Sequence, residues 1–339
     1  MRSLVIQTSF LGDMVLTTPL IRALATRGPV DVVATPANAG LLAHDPHVRH
    51  VYRYDKRGAH AGARGFRELV RLAKAGGASD TAFLAQGSWR SAALAVAAGY
   101  AERVGFETSA GRWLYTRRFP YRRDRHHAER LWSLAGHGRD AAPPPEVVRP
   151  ALYPGVEDEE AVQRLLDAHA HAGEPLLAVA PGSVWATKRW PYYAALARRL
   201  TLLGRVIVLG SEGDRALAQA IVGETFGSAI DATGALTLLG SAALLRRARV
   251  LVTNDSAPLH LASAMDTPTV ALFGPTVPAF GFGPLATARR VAEVPMLECR
   301  PCDTHGPRTC PLKHWRCMRD LTVAEVLDAV DAVRAETDA

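Results

Sequence analysis

The chain has 339 residues, 48% of them hydrophobic and 22% charged, a globular composition that excludes an intrinsically disordered chain and is long enough for two domains. Lys and Arg outnumber Asp and Glu by 40 to 33, a net charge of +7 that favours anionic partners without naming one. Four cysteines, all after residue 298, are too localised to form a disulfide framework for the chain.

The chain opens on MRSLVIQTSF, with one arginine and an apolar run too short for a secretory signal. No later apolar run approaches the roughly 18 residues of a membrane helix, so a cytoplasmic protein is expected. Leu4-Val5-Ile6 centres a strand over 3–7, and TSFLGDMVLTTPL (8–20) reads as the turn after it and the start of a helix over 14–27. A dinucleotide-binding turn would carry three spaced glycines. This one carries Gly12 alone, followed at once by Asp13. Strands are expected at 30–34, 49–53 and 81–85, with helices near 65–75 and 90–99, an alternation that argues for a parallel α/β sheet. Ala141-Ala142-Pro143-Pro144-Pro145 cannot continue a helix and reads as a connection.

After it the alternation restarts, with strands at 176–180, 205–209, 249–253 and 269–273 and helices at 191–203, 213–223 and 257–265. Two α/β halves imply a cleft between two sheets. The tail 322–330 has helical spacing, with Thr322 as N-cap and Glu325 as its capping-box partner.

Two loops of the second half carry chemistry. Strand 176–180 runs into PGSVWATKRWP (181–191), where Gly182 and Ser183 offer donors and Lys188 and Arg189 offer positive charge to an anion. A solvated basic loop is the plainer reading. The second loop, TNDSAPLH (253–260), leads from strand to helix on the same edge. Ligands of open α/β sheets gather at the carboxyl ends of the strands, so both loops can face one site. Asn254 or Asp255 serving only as an N-cap is the alternative.

Taken together, Phe10-Leu11-Gly12-Asp13 with Thr17-Thr18-Pro19, Trp89-Arg90-Ser91, Arg103-Val104-Gly105-Phe106, Pro181-Gly182-Ser183, Lys188-Arg189-Trp190-Pro191, Asn254-Asp255-Ser256 through Pro258-Leu259-His260-Leu261-Ala262, and Pro268 through Thr276 give the chain its resemblance. It resembles the ADP-heptose:lipopolysaccharide heptosyltransferases, glycosyltransferase family nine. Ala257 departs from the glycine usual in the family there. The resemblance implies an α/β GT-B fold, two Rossmann-like domains facing across a cleft. Residues 1–150 would bind the acceptor, 151–320 the nucleotide-sugar, and 321–339 would form a C-terminal helix.

The resemblance also implies an inverting transfer of heptose from ADP-heptose to the lipid A–Kdo-type inner core of lipopolysaccharide, at the inner face of the cytoplasmic membrane, with no cofactor required for catalysis. Asp13 would be the base that takes a proton from the acceptor hydroxyl, with the positive end of the helix beside it. Its alternative role is a helix N-cap. Lys188 would stabilise the departing diphosphate, with Ser183, Asp255, Ser256, Ala257, Pro258, Leu259 and His260 around the donor. Glu212 is a candidate for the ribose or adenine; a surface glutamate in a first helical turn is the other reading. Thr8, Ser9, Arg57, Arg90 and Arg118 are the expected acceptor residues; Arg57 and Arg118 come from the basic groups Lys56-Arg57 with Arg64 and Arg117-Arg118 with Arg122, Arg123 and Arg125, and Arg90 from its family-matching position after a strand-end loop. His126-His127 reads as interdomain or structural, because adjacent histidines on a helix point to different faces. The cysteine-bearing tail resembles proteins labelled as adding the second heptose, which leans the acceptor that way.

Cys299, Cys302, Cys310 and Cys317 lie in a segment rich in Pro, Gly and charge that has no core of its own. A structural zinc site would fix such a loop; free or redox-active thiols and an iron–sulfur cluster are the alternatives. Two rivals from other classes stand beside the transferase. One is a different nucleotide-sugar enzyme, another GT-B transferase or an epimerase. The other is a non-enzymatic protein holding anions or nucleic acid on its basic face. An aromatic content of 7% and the lack of an RNA-binding signature argue against a nucleic-acid partner.

Overall fold

The computed structural model describes residues 1–77, 80–136, 143–169 and 173–338. Ala141 and Ala142 of the proline-rich connection lie outside the described residues. The chain divides into two compact units, Met1–Tyr153 and Pro154–Ala339.

The first unit runs β1 (Ser3–Gln7), α1 (Leu11–Ala25), β2 (Val30–Ala34), α2 (Pro36–Ala39), β3 (His50–Arg53), α3 (Gly62–Leu72), β4 (Thr81–Leu84), α4 (Trp89–Ala97), β5 (Glu102–Phe106), β6 (Arg117–Phe119), α5 (His127–Ser133) and α6 (Pro145–Val148). Its six strands are all parallel, in the order β3-β2-β1-β4-β5-β6. β1, β2 and β4 are buried along their whole length, as helices covering both faces of a parallel sheet require. Leu4, Ile6, Val33 and Leu84 centre the core.

The second unit runs α7 (Val156–Ala168), β7 (Leu176–Ala180), α8 (Tyr193–Leu200), β8 (Arg205–Val208), α9 (Arg215–Glu224), β9 (Ile230–Asp231), α10 (Leu238–Arg247), β10 (Val250–Asn254), α11 (Ala257–Met265), β11 (Thr269–Leu272), β12 (Arg289–Ala292), α12 (Arg316–Arg319) and α13 (Val323–Asp338). Its strands are again parallel, in the order β12-β11-β10-β7-β8-β9. Counted from the first strand of each unit this is the same order twice, with the reversal point between β1 and β4 in one and between β7 and β10 in the other. Leu177, Val179, Val252 and Val270 build this core, which Val326, Val330 and Val333 of α13 complete. Thr322 and Glu325 form the expected capping box, Thr322 N donating to Glu325 Oε2 at 2.7 Å and Glu325 N to Thr322 Oγ1 at 3.3 Å.

Three of the four sheet edges have no counterpart among the expected strands; the fourth, β3, lies where 49–53 predicts. β6 and β12 carry paired arginines and are largely exposed, and β9 is two residues long. None shows the apolar run that marks an interior strand. Among the described residues no helix is long and apolar enough to cross a membrane.

Candidate active site

In the first unit α1 starts at Leu11, three residues earlier than the periodicity predicts, with Phe10 as N-cap and no side-chain capping bond. Asp13 therefore lies inside the first turn and caps nothing. Its backbone carbonyl accepts from Thr17 Oγ1 at 2.6 Å, and Thr17 Oγ1 in turn accepts from Gln7 Nε2 at 3.2 Å, which ties the helix to the end of β1. Pro19 sits within this helix and has no N–H for the carbonyl of Val15. Thr18 Oγ1 donates to that oxygen instead, at 2.8 Å, and accepts from Ala151 N at 3.0 Å. The Thr17-Thr18-Pro19 run thus holds the helix that presents Asp13.

The carboxylate of Asp13 faces a histidine. His127 Nε2 lies 3.7 Å from Asp13 Oδ1, with both side chains mostly buried. The contact comes from packing of α5 along α1. His126 is the N-cap of α5, accepting from Ala128 N at 3.2 Å. One histidine of the pair is structural, as expected. The other stands at the candidate base, which the sequence reading missed: nothing local in a His-His pair reveals a contact made across 114 residues.

At the carboxyl ends of β1 to β4 lies a cavity of about 450 Å³, lined by Thr8, Ser9, Phe10, Thr35, Pro36, Tyr54, Asp55, Lys56, Arg57 and Gln86. Gln86 Oε1 accepts from Thr8 Oγ1 (2.8 Å) and Ser91 Oγ (3.0 Å), and Lys56 Nζ donates to Thr8 O at 3.0 Å. The backbone N–H groups of Gly58 and Ala59 hold the Asp55 carboxyl below its ordinary range. Arg90 stands over the Tyr54 ring, 5.9 Å from its centroid. Thr8, Ser9 and Arg57 are brought together here with Arg90 beside them. Arg118, on the edge strand β6, stacks instead on Trp113.

In the second unit Lys188 is not a free cation. It is buried, and its Nζ lies 2.6 Å from Asp255 Oδ2, which also accepts from Thr276 Oγ1 at 2.7 Å. Arg189 turns back on its own loop, Nε and Nη2 donating to Ser183 O at 2.9 and 2.7 Å. Of the two adjacent cations only Lys188 therefore points to the second loop. Buried Asn254 fastens the loops together. Its Oδ1 accepts from Trp190 N and Tyr193 OH, both at 3.2 Å, and its Nδ2 donates to Pro181 O at 2.9 Å. Gly182 is needed by close approach, since a Cβ there would sit 2.4 Å from Asp214 Oδ1.

Ser256 is the N-cap of α11, makes no capping bond, and keeps a buried Oγ without a partner. The first turn of α11, with Ala257, Pro258, Leu259 and His260, follows it. Ala257 is absent from the residues of left-handed backbone, so alanine costs nothing where the family's glycine would stand. Pro258 has no N–H and Leu259 N donates to Ser256 O at 3.1 Å, so the N-terminus of α11, the unsatisfied Ser256 hydroxyl and the Lys188–Asp255 pair are what this corner could offer an anion. Glu212 lies in a one-turn segment after β8 and is held in a two-bond fork by Arg215, at 2.8 and 2.6 Å, which keeps its carboxyl below the usual range.

The cysteine segment lies against this corner. Thr187 Oγ1 donates to Pro307 O at 2.5 Å, Cys302 N donates to Pro275 O at 2.8 Å, and the rings of Trp185 and His305 stack at 10°. Gly306, at φ +82°, lets the backbone pass Lys188: a Cβ there would be 3.3 Å from Lys188 Cε. None of the four cysteines is in a disulfide. Burial pushes the Cys317 thiol up to about 11 and raises Cys302 as well. Burial also acts upward on Cys310, but the backbone N–H groups of Trp315, Leu312, His314 and Lys313 outweigh it and leave that thiol below its ordinary value. Such a cradle of N–H groups suits a thiolate that ligates a metal. Among the described residues no three of the four sulfurs lie within 4.8 Å of one another. A closed tetrahedral site, with sulfurs about 3.8 Å apart, would draw them inward.

A family model described as glycosyltransferase family 9 (heptosyltransferase) matches residues 69–315, more than half of the chain. Lipopolysaccharide heptosyltransferase 1 of Pseudomonas aeruginosa is 31% identical over 301 residues, covering 83% of this chain and 80% of that protein. Lipopolysaccharide heptosyltransferase 2 of Salmonella typhimurium is 29% identical over 300 residues, covering 83% and 84%. The structure of ADP-heptose LPS heptosyltransferase II from E. coli superposes with a TM-score of 0.79 at 24% identity, covering all of both chains.

Proposed function

The chain belongs to glycosyltransferase family 9, and from that premise we propose that it moves a heptose from ADP-heptose to the inner core of lipopolysaccharide with inversion at the anomeric carbon. The acceptor is a lipid A–Kdo-type glycolipid at the inner face of the cytoplasmic membrane. An acceptor already carrying one heptose is the expected one, and the likeness to relatives named for both additions makes an acceptor panel the deciding test.

Asp13 takes the proton from the acceptor hydroxyl as its oxygen attacks the anomeric carbon. The bond from that carbon to the diphosphate breaks, and ADP leaves with the electron pair. Lys188, Ser256 and the first turn of α11 stabilise the charge gathered on the diphosphate. Thr8, Ser9, Arg57 and Arg90 hold the acceptor, whose anionic groups suit arginine forks. The observation that carries the reading is Asp13 itself: an acid inside a helical first turn whose N-cap is Phe10, with His127 Nε2 3.7 Å from its carboxylate.

Cys299, Cys302, Cys310 and Cys317 would hold a structural zinc, which would fix the loop and take no part in transfer.

The test is release of ADP from ADP-heptose by purified protein, with Kdo-terminated and heptose-terminated core acceptors side by side. Product should carry the anomeric configuration opposite to the donor. ADP release with neither acceptor, or equal turnover of other nucleotide-sugars, would overturn the assignment.

A further inference from the structure

The net charge of +7 is not shared between the units. Residues 1–153 carry 22 Lys and Arg against 12 Asp and Glu, while 154–339 carry 18 against 21. The whole excess of positive charge belongs to the first unit. That unit also exposes two of the chain's six tryptophans, Trp89 at 66% and Trp113 at 73%, with Leu114 beside the second at 38%. Side chains of this size are ordinarily covered.

They belong to one surface. Trp89 is the first residue of α4, and Arg112–Leu114 form a single 3-10 turn packed on the start of that helix. Gly111 makes the approach close: its N donates to Gly87 O at 3.2 Å, and a Cβ on it would lie 3.1 Å from Trp89 Cα. Arg112 and Arg118 both stand over the Trp113 ring, at 4.8 and 5.7 Å from its centroid. The next residue of α4 is Arg90, over Tyr54, which lines the 450 Å³ cavity. An exposed indole flanked by guanidinium groups offers an apolar face and two cations at one level. That pairing suits the boundary between acyl chains and anionic headgroups.

We propose that the corner formed by Trp89, Arg112, Trp113, Leu114 and Arg118 docks the first unit onto an anionic bilayer surface, beside the acceptor cavity. The purpose of the contact rests on the proposed acceptor being a membrane-held glycolipid; the contact itself rests on charge and exposure. Docking of this kind involves no covalent step. Each arginine near an anionic surface strengthens binding about fivefold, and the indoles supply the part that salt does not remove.

The experiment is flotation of the full chain with vesicles of phosphatidylethanolamine containing phosphatidylglycerol, against pure phosphatidylcholine. Binding is expected to the first and not the second, and to weaken from 0.1 to 1 M salt as the screening length falls from about 10 to about 3 Å. The double variant Trp89→Ser/Trp113→Ser should lose about tenfold or more in partition, and Arg112→Gln about fivefold. Both should keep the wild-type melting temperature and ADP affinity. Equal binding to neutral vesicles, or undiminished binding by the double variant, would overturn the proposal. So would a dimer in solution that the double variant abolishes, since the corner would then be a contact between copies. Vesicle binding as expected, with no transfer to any core acceptor, would leave this surface standing and remove the activity instead.

Discussion

Lys188 and Asp255, 67 residues apart in sequence, form a buried ion pair at 2.6 Å whose carboxylate is also held by Thr276. The lysine is thus held in place by its carboxylate partner. Replacing Lys188 with Ala should weaken ADP affinity and lower turnover by about two to three orders of magnitude, because both a ground-state contact and transition-state stabilisation are lost. Calorimetric titration with ADP checks the first effect and steady-state kinetics the second. Unchanged ADP affinity would show that the pair is purely structural.

Asp13→Asn should reduce transfer by about two to four orders of magnitude while leaving ADP affinity nearly intact. Retention of more than about a tenth of wild-type turnover would mean that the acid serves only the helix. His127→Ala removes a side chain whose Nε2 lies 3.7 Å from the Asp13 carboxylate. It should cost about tenfold in kcat, a fraction of the base's own contribution, again with ADP binding intact.

Asn254→Ala strips a buried side chain of three hydrogen bonds and leaves Trp190 N, Tyr193 OH and Pro181 O without their partner. An unsatisfied buried group costs about 1–3 kcal/mol each, and relaxation of the loop recovers part of it. A loss of roughly 3 kcal/mol in denaturant unfolding is expected, together with weaker ADP binding. Full stability would mean that water replaces the amide.

Purified protein should contain about one zinc per chain, and Cys302→Ser should lower the melting temperature. Because Gly306 and Pro307 lie against Lys188 and Thr187, chelation should also weaken ADP binding, measured by titration before and after zinc is restored. In metal-free protein Cys310 should be alkylated first and buried Cys317 last, in line with their opposite pKa shifts. Protein that contains no metal and titrates four free thiols in the native state would sink the zinc site.

Much of the interior was legible in sequence because buried parallel strands are apolar throughout: β1, β2, β7, β10 and β11 lie within a residue of where those runs predict. The edge strand β3 also lies within a residue of its expected place, but the interior strand β5 and the edges β6, β9 and β12 were not legible, since Arg289-Arg290 and Arg117-Arg118 look like surface charge whether or not the backbone pairs. Asp13 and Lys188 stood out by position after a strand. His127 did not, because its contact is made by the packing of α5 on α1. The return of Arg189 to Ser183 and the passage of Gly306 over Lys188 were hidden for the same reason: both depend on approaches that spacing does not encode.

The repeated strand order has a consequence for engineering. Each unit offers a ligand the same two loops, after its first and its fourth strand, and each keeps its own core. In one unit the first of these loops leads to an acid, Asp13; in the other it leads to a base, Lys188. On the proposed roles, acceptor preference is open to engineering by grafting loops of the first unit from a relative, while the residues proposed to hold the donor stay untouched.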